Sequence, residues 1–386
     1  MSLFLREEEK FLEFISLQNF SGDFNDEFIN FLKEYNLGCL LYSLFLQKKV
    51  VLPTILRENL RGDYIVNLKR QMMQLNNIRR IAEIFDRQNI PFIVLKSPIL
   101  AKKIYDDEGA RRVGCDIDIL IKKDNFYNVD RVLNENGYKN PLRYETVDLK
   151  YRCFLYIKKN STPIDIHLKV LSGIMFLDLF LSLNKDCWQD FNIELIYDIK
   201  IKYFFDELLA VYLVMLFTKE ESRFNRFQYL IDLYFFLKKY KEKLDYFRLA
   251  DFINKSNLNS YFLFSLDLLN KYTHLSLPLH FLKKIKFNRF RKGIVYWALS
   301  RYLKSDMDKS LRFFTYSLKA FSFSGGYLNK VLKSFLHIYK VSYFYFLEEI
   351  GLKNNLHSFL MHFLFFLRRT FSCVPRKFTL EKIAKK

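Results

Sequence analysis

The stretch Arg112-Val-Gly-Cys-Asp116-Ile-Asp118-Ile-Leu-Ile121 decides how this chain is read. Successive side chains of a β-strand point to opposite faces, so residues i and i+2 share one. In a strand over 115–121, Asp116 and Asp118 project together, while Ile117 and Ile119 project into a core. Two adjacent carboxylates repel each other, raising the pKa of at least one unless a cation sits between them. A divalent ion removes that conflict, and Mg²⁺ favours a few carboxylates together with phosphate oxygens. The plain alternative is a half-exposed strand that merely alternates Asp with Ile. A second run, Pro163-Ile-Asp165-Ile-His167-Leu168, alternates in the same way and puts Asp165 and His167 on one face. Laid beside the first strand, it completes a three-carboxylate site. His167 reads as a hydrogen-bonded strand residue rather than a ligand, because Mg²⁺ prefers oxygen.

The surroundings of these two runs set the organisation. Asn89-Ile-Pro-Phe-Ile-Val-Leu95 is a short apolar run of the kind a buried strand shows. It ends in Lys96-Ser97-Pro98 at the opening of a helical stretch reaching Tyr105, where backbone N–H groups can hold phosphate. Lys96 reads equally as a phosphate contact or a solvated strand end. Arg111 and Arg112 lie just before the acidic strand, and Arg112 reads as a group that neutralises a triphosphate or as a structural partner of an acidic residue, with the balance towards the first. Asp124–Asn136 is amphipathic and stops at Gly137; Leu155–Lys158 and Pro163–Leu168 form a hairpin around Lys159-Asn-Ser-Thr162. Residues 89–175 therefore make a compact α/β core.

Residues 1–88 read as helical. Their apolar faces are Phe11, Phe14, Ile15 and Leu17, then Phe28, Phe31, Leu32 and Tyr35. A third face is Ile65, Leu68, Met72, Leu75, Ile78, Ile81 and Phe85, and Pro53 and Gly62 act as punctuation. Residues 176–280 are helical again, most clearly at 206–217 and 227–237. Arg226 and Asp232 are six apart, off a common helix face, and read as packing or orienting residues. Residues 281–386 form a basic, aromatic-rich helical region. The class is α+β: a small mixed β-sheet core flanked by N-terminal and C-terminal helical regions.

The order Val94-Leu-Lys-Ser97, Tyr105, Arg112-x-x-x-Asp116-Ile-Asp118-Ile-Leu, Gly137-Tyr138 and Ile164-Asp165-Ile-His167 resembles the uncharacterised nucleotidyltransferases of the polymerase-β-like superfamily. Arg226-Phe-Gln-Tyr-Leu-Ile-Asp232-Leu resembles that family's helical Arg…Asp segment. The resemblance runs from about residue 25 to about 240. It implies Mg²⁺-dependent transfer of a nucleoside monophosphate from an NTP to a hydroxyl acceptor, with release of pyrophosphate. It also implies that Asp116, Asp118 and Asp165 hold the metal, that Asp165 draws the acceptor's proton, and that Ser97, Lys96 and Arg112 meet the nucleotide. Ser97 stands where the family usually has Gly, which bears on nucleotide affinity more than on metal binding, since Gly lets backbone approach phosphate closely.

Half of the 386 residues are hydrophobic and 27% are charged, enough for packed cores and against global disorder. The five Cys are scattered singly, which argues against a zinc ribbon or a disulfide scaffold and fits a reducing cytosol. The opening run turns acidic too soon for a secretory signal, and no stretch is apolar enough for a membrane span. P-loop, dinucleotide-binding and nucleophile-elbow motifs are absent, so NTPase, oxidoreductase and serine-hydrolase readings fall away. The net charge of +20 is uneven: residues 281–386 hold 22 Lys and Arg against 5 Asp and Glu, a net of +17, leaving +3 for the first 280. With aromatics from Phe313 to Tyr345, this region suits a solvated helical face, an anionic membrane surface or a nucleic acid. The run Phe359–Leu367 before Arg368-Arg369 tips the choice of partner towards membrane. The expected location is cytoplasmic, with a peripheral hold on the membrane through 281–386. The rival function is a degenerate nucleotidyltransferase-like binding module that acts through the same basic region.

Overall fold

The computed structural model describes residues 10–13, 15, 26–47, 51–96, 98–141, 153–170, 188, 191–196, 199–219, 223–256, 258–287, 289, 292, 293 and 296. The chain divides into two compact units, Met1–Lys304 and Ser305–Lys386, and every described residue belongs to the first. The aromatics from Phe313 to Tyr345 and the run Phe359–Leu367 therefore lie outside the described residues, as does Ser97.

The N-terminal helices are α1 (Asp26–Glu34), α2 (Gly38–Leu46) and α3 (Thr54–Arg87). The expected face of α1 is buried through Phe28, Phe31 and Leu32, with Tyr35 just beyond. Phe11 packs its ring 6.0 Å from Phe31 and 6.4 Å from Phe227, tying the chain's start to a helix two hundred residues on. Pro53 caps α3, where a fixed φ costs nothing. Gly62 lies inside α3 rather than punctuating it.

The buried face of α3 differs from the apolar stripe read from sequence. Ile65 is 39% exposed and Met72 65%, while Asn67, Gln71, Gln74 and Asn77 are buried with Leu60, Tyr64, Leu75, Ile78, Ile81 and Phe85. The reason is polar: Asn67, Gln71 and Gln74 bond to the segment leading into the acidic strand, and Asn77 bonds to Thr162. Asn67 Nδ2 donates to the carbonyls of Gly109 and Arg111, and its Oδ1 accepts from Val113 N–H. Gln71 Nε2 donates to Glu108 O. Buried backbone groups outside regular structure need such partners, and this helix supplies them.

The core is a four-stranded sheet of β1 (Phe92–Val94), β2 (Ile117–Ile121), β3 (Cys153–Tyr156) and β4 (Ile164–His167), in the order β1-β2-β4-β3. β1 runs antiparallel to β2, β2 parallel to β4, and β4 antiparallel to β3. A parallel pair needs a crossover. Here α5 (Phe126–Glu135) and β3 provide it, with α5 ending at Gly137, whose φ of +81° suits only glycine without strain. Ile117, Ile119 and Ile121 join Ile164 and Ile166 on one face, packed against Ile78, Ile81 and Phe85 of α3 and Phe126, Val129 and Leu133 of α5. Each such fully buried side chain contributes about 1.5–3 kcal/mol of transfer free energy.

The region after the core is not wholly helical. Asn192–Ile196 and Ile199–Tyr203 form an antiparallel hairpin, β5 and β6, whose Ile201 and Tyr203 enter the same core. Its alternating Lys and Ile carry a strand signal that the sequence reading passed over. Helices α6 (Asp206–Lys219), α7 (Arg223–Tyr240), α8 (Tyr246–Lys255), α9 (Asn259–Thr273) and α10 (Leu279–Lys284) follow. Leu208–Phe217 of α6 is buried without a break, the mark of a helix surrounded on all sides. A short helix α4 (Ile99–Ile104) links β1 to the loop before β2. Among the described residues, no helix is long and apolar enough to cross a membrane.

Candidate active site

The second acidic strand lies beside the first. Parallel pairing places Asp118 opposite Asp165, and Leu120 opposite His167. The carboxylates of Asp118 and Asp165 and the imidazole of His167 each offer a ligand atom within 4.8 Å of the others. The alternation that buries Ile117, Ile119, Ile164 and Ile166 forces this, because the opposite face is the only place left for the polar side chains.

Asp116 differs in detail from the expectation of two aspartates within one strand. It occupies the bend just ahead of β2, half-buried, and is not in that 4.8 Å group. Gln74 fixes its backbone: Nε2 donates to Asp116 O at 3.1 Å and to Gly114 O at 2.9 Å. Asp116 and Asp118 open together onto a cleft of about 840 Å³. α3 lines it through Arg70 and Gln74, the loop before β2 through Arg112 and Cys115, the β3–β4 turn through Ser161 and Thr162, and α7 through Tyr229.

Lys96 is neither a free phosphate contact nor a solvated strand end. Its Nζ donates to Asp118 Oδ1 at 2.9 Å, and His167 Nε2 meets the same oxygen at 2.9 Å. Nδ1 of His167 is buried with no partner among the described residues. The hydrogen-bonded reading of His167 therefore holds, although its ring also stands among the groups able to ligate.

The three carboxylates are shifted in opposite directions. Burial alone would raise the Asp118 carboxyl, but Lys96 foremost, and then His167, hold it well below the usual range. Asp116 is raised, by burial first and then by Asp118. Asp165 is raised by burial first and then by Asp116. Two of the three thus keep protons more tightly than usual, because Lys96 and His167 offset only part of the rise that burial and the neighbouring carboxylates cause. A donor set of carboxylates with one imidazole, short of positive charge, fits a divalent cation.

A buried pair anchors the loop carrying these groups. Arg111, 4% exposed, bonds the fully buried Asp232 of α7 through Nε at 2.9 Å, and Tyr105 Oη donates to the other Asp232 oxygen at 2.8 Å. Gln228 Nε2 also donates to Asp232, at 3.2 Å. Asp232 is accordingly the orienting residue that the sequence suggested. Its partner Arg111, 121 residues away, was not legible there, and nor were Arg70, Gln74 or Tyr229. The amides of α3 had one signal: Asn67, Gln71, Gln74 and Asn77 recur at helical spacing.

The model of the uncharacterised nucleotidyltransferase family matches residues 24–274. This chain belongs to that family. The match spans every element of the nucleotidyltransferase core described above, together with the α7 helix that holds Asp232, and stops short of the basic region. A search of the curated proteins finds no match. Among solved structures, a lincosamide antibiotic adenylyltransferase, LnuA, bound to lincomycin, is similar over 41% of this chain and 94% of its own. The two share 14% identity at a TM-score of 0.29.

Proposed function

We propose that this nucleotidyltransferase moves a nucleoside monophosphate from an NTP to a hydroxyl acceptor, with Mg²⁺ as cofactor and pyrophosphate as the leaving group. The observation that carries the reading is the register of β2 and β4, which sets Asp118 against Asp165, while Asp118 and Asp116 line one cleft. Asp116, Asp118 and Asp165 would hold the metal. When bound, it supplies Lewis-acid stabilisation of charge on the phosphoryl oxygens, an effect of several kcal/mol.

The chain's own groups do the rest. Asp165, with its raised pKa, accepts the proton of the acceptor hydroxyl as that oxygen bonds to the α-phosphorus. The bond from the α-phosphorus to the bridging oxygen breaks, and its electron pair leaves with pyrophosphate. Lys96 and His167 keep Asp118 ionised throughout. Arg112, exposed in the cleft, meets the triphosphate, and Ser97, just before α4 in sequence, would add its N–H and hydroxyl. The volume suits a nucleotide with part of an acceptor.

The test is a screen of four labelled NTPs against host lysate, wild type beside Asp118→Asn. A labelled acceptor that appears with wild type alone supports the reading. Pyrophosphate release unchanged in Asp118→Asn overturns it. For the basic region 281–386, we propose a peripheral hold on anionic membrane from the cytoplasmic side, since each basic residue near anionic lipid contributes about 1 kcal/mol. Full-length protein should co-sediment with phosphatidylserine vesicles at low salt and release as salt rises. Preference for RNA in a gel shift would replace membrane with nucleic acid.

A further inference from the structure

The sequence assigned phosphate to Ser97, Lys96 and Arg112, but the ammonium of Lys96 is engaged 2.9 Å from Asp118. Lys96 lines the cleft, but Asp118 takes part of its charge, so a polyphosphate entering there calls for further positive partners. Arg111 also lines the cleft, yet its guanidinium is bound to buried Asp232. Two exposed guanidinium groups remain on the lining, Arg112 ahead of β2 and Arg70 on α3. Neither forms an ion pair among the described residues, unlike Lys96 and Arg111.

Their placement is constrained. Arg70 sits one helical turn before Gln74, whose amide grips the Asp116 and Gly114 carbonyls. Arg112 follows Arg111, whose carbonyl is held by Asn67 of the same helix at 2.9 Å. Both side chains therefore arise from backbone pinned along one face of α3. Burial, with Asp63 and Asp107, pushes the Cys39 thiol up to about 12, while Arg112 and Arg70 both pull against that rise. The two guanidinium groups thus both act on one buried thiol, and both line the same cleft. A guanidinium that forms no ion pair among the described residues can take an anion, and guanidinium meets phosphate in bidentate fashion.

We propose that Arg70 and Arg112 together hold the β- and γ-phosphates of the nucleotide, making Arg70 a binding residue for the pyrophosphate that leaves. This rests on the nucleotidyltransferase reading and adds a residue to it. As the α-phosphorus–oxygen bond breaks, negative charge grows on the pyrophosphate oxygens. A guanidinium placed there acts most strongly in the transition state.

The experiment titrates full-length wild type, Arg70→Ala, Arg70→Lys and Arg70→Glu with each of the four NTPs and their monophosphates, in Mg²⁺. Arg70→Ala should weaken NTP binding about tenfold to a hundredfold, the range of one charge-assisted contact. Monophosphate binding should hardly change. Arg70→Lys should recover part of the loss, and Arg70→Glu should lose NTP binding altogether. Arg70 is exposed, so these variants are expected to fold, and circular dichroism checks that. NTP affinity in Arg70→Ala equal to wild type overturns the proposal, and so does an equal loss for NTP and monophosphate. A wild type that binds no NTP overturns this proposal together with the function beneath it.

Discussion

Asp116 and Asp165 hold protons more tightly in the folded chain than they would unfolded, by burial first and then by neighbouring carboxylate charge. Ionising them therefore costs stability at neutral pH, and that cost fades as pH falls through their raised pKa values. Asp118 is opposite in sign: its contribution is present above the usual carboxylate range and is lost only in stronger acid. Without divalent metal, Asp116→Asn should raise the melting temperature at neutral pH relative to wild type, and the gain should vanish towards the carboxylate range. Mg²⁺ should stabilise wild type more than the variant, with proton release measurable by calorimetry in two buffers. Equal Mg²⁺ stabilisation of both would remove Asp116 from the metal site. For turnover, Asp118→Asn and Asp165→Asn should each cost roughly 10²–10³-fold, the equivalent of several kcal/mol of lost charge stabilisation. Cys115 gives an independent probe, being exposed on the cleft while Cys39 is buried with its thiol pushed up to about 12. Maleimide should label Cys115 and spare Cys39, and Mg²⁺-NTP should slow the labelling; labelling unaffected by every NTP would place the nucleotide elsewhere.

At the scale of elements, α3 acts as the rail on which the loop carrying Asp116 is mounted. Four amides hold that loop and the β3–β4 turn, the last through Asn77 Nδ2 to Thr162 Oγ1 at 2.9 Å. Gly109 shows how closely the two approach. A Cβ there would lie 2.4 Å from the Tyr64 ring, whose hydroxyl donates to Asp107 at 2.7 Å. Asn67→Ala strips three backbone groups of their partner and should cost about 1–3 kcal/mol for each that water cannot reach. Gln74→Ala touches Asp116 and Gly114 alone, so its expected signature is different. Mg²⁺ affinity and kcat should fall with only a small change in melting temperature. A large stability loss with unchanged Mg²⁺ affinity would make Gln74 a structural residue only. The exposure of Ile65 and Met72 escaped the sequence reading for a related reason. Periodicity reports which residues are apolar, whereas here the amides of α3 were worth more to the interior than two of its hydrophobic side chains, because unpaired loop carbonyls needed donors.

Across the whole molecule, the link between the sheet core and the helical region is electrostatic as well as apolar. Asp232 on α7 accepts from Arg111, Tyr105 and Gln228 with no exposure to solvent. Burial tends to lower the Arg111 guanidinium pKa, but Asp232 outweighs that and holds it charged. Removing one partner of such a pair strands the other, a loss of about 3–5 kcal/mol. Asp232→Ala should therefore lower the melting temperature by roughly 6–20 °C in a domain of this size. Replacing both partners, as in Arg111→Met with Asp232→Leu, should return much of the stability without restoring activity, since Arg112 would lose its anchored neighbour. Full activity in the stable double variant would confine the pair to a structural role.

The sequence by itself determined the acidic strands, their inward isoleucines and hence the sheet core. Two-residue alternation is a local property and survives in any strand that buries one face, so Asp118 and Asp165 were bound to share the other. The family resemblance rested on the same residues, and the match over residues 24–274 agrees with it. Only the tertiary structure decided which charges are spoken for. Lys96 looked free until Asp118 was seen 2.9 Å away, and Arg111 looked interchangeable with Arg112 until Asp232 took it. Pairings across 22 and 121 residues leave no trace in spacing, because each depends on where two separately folded segments meet.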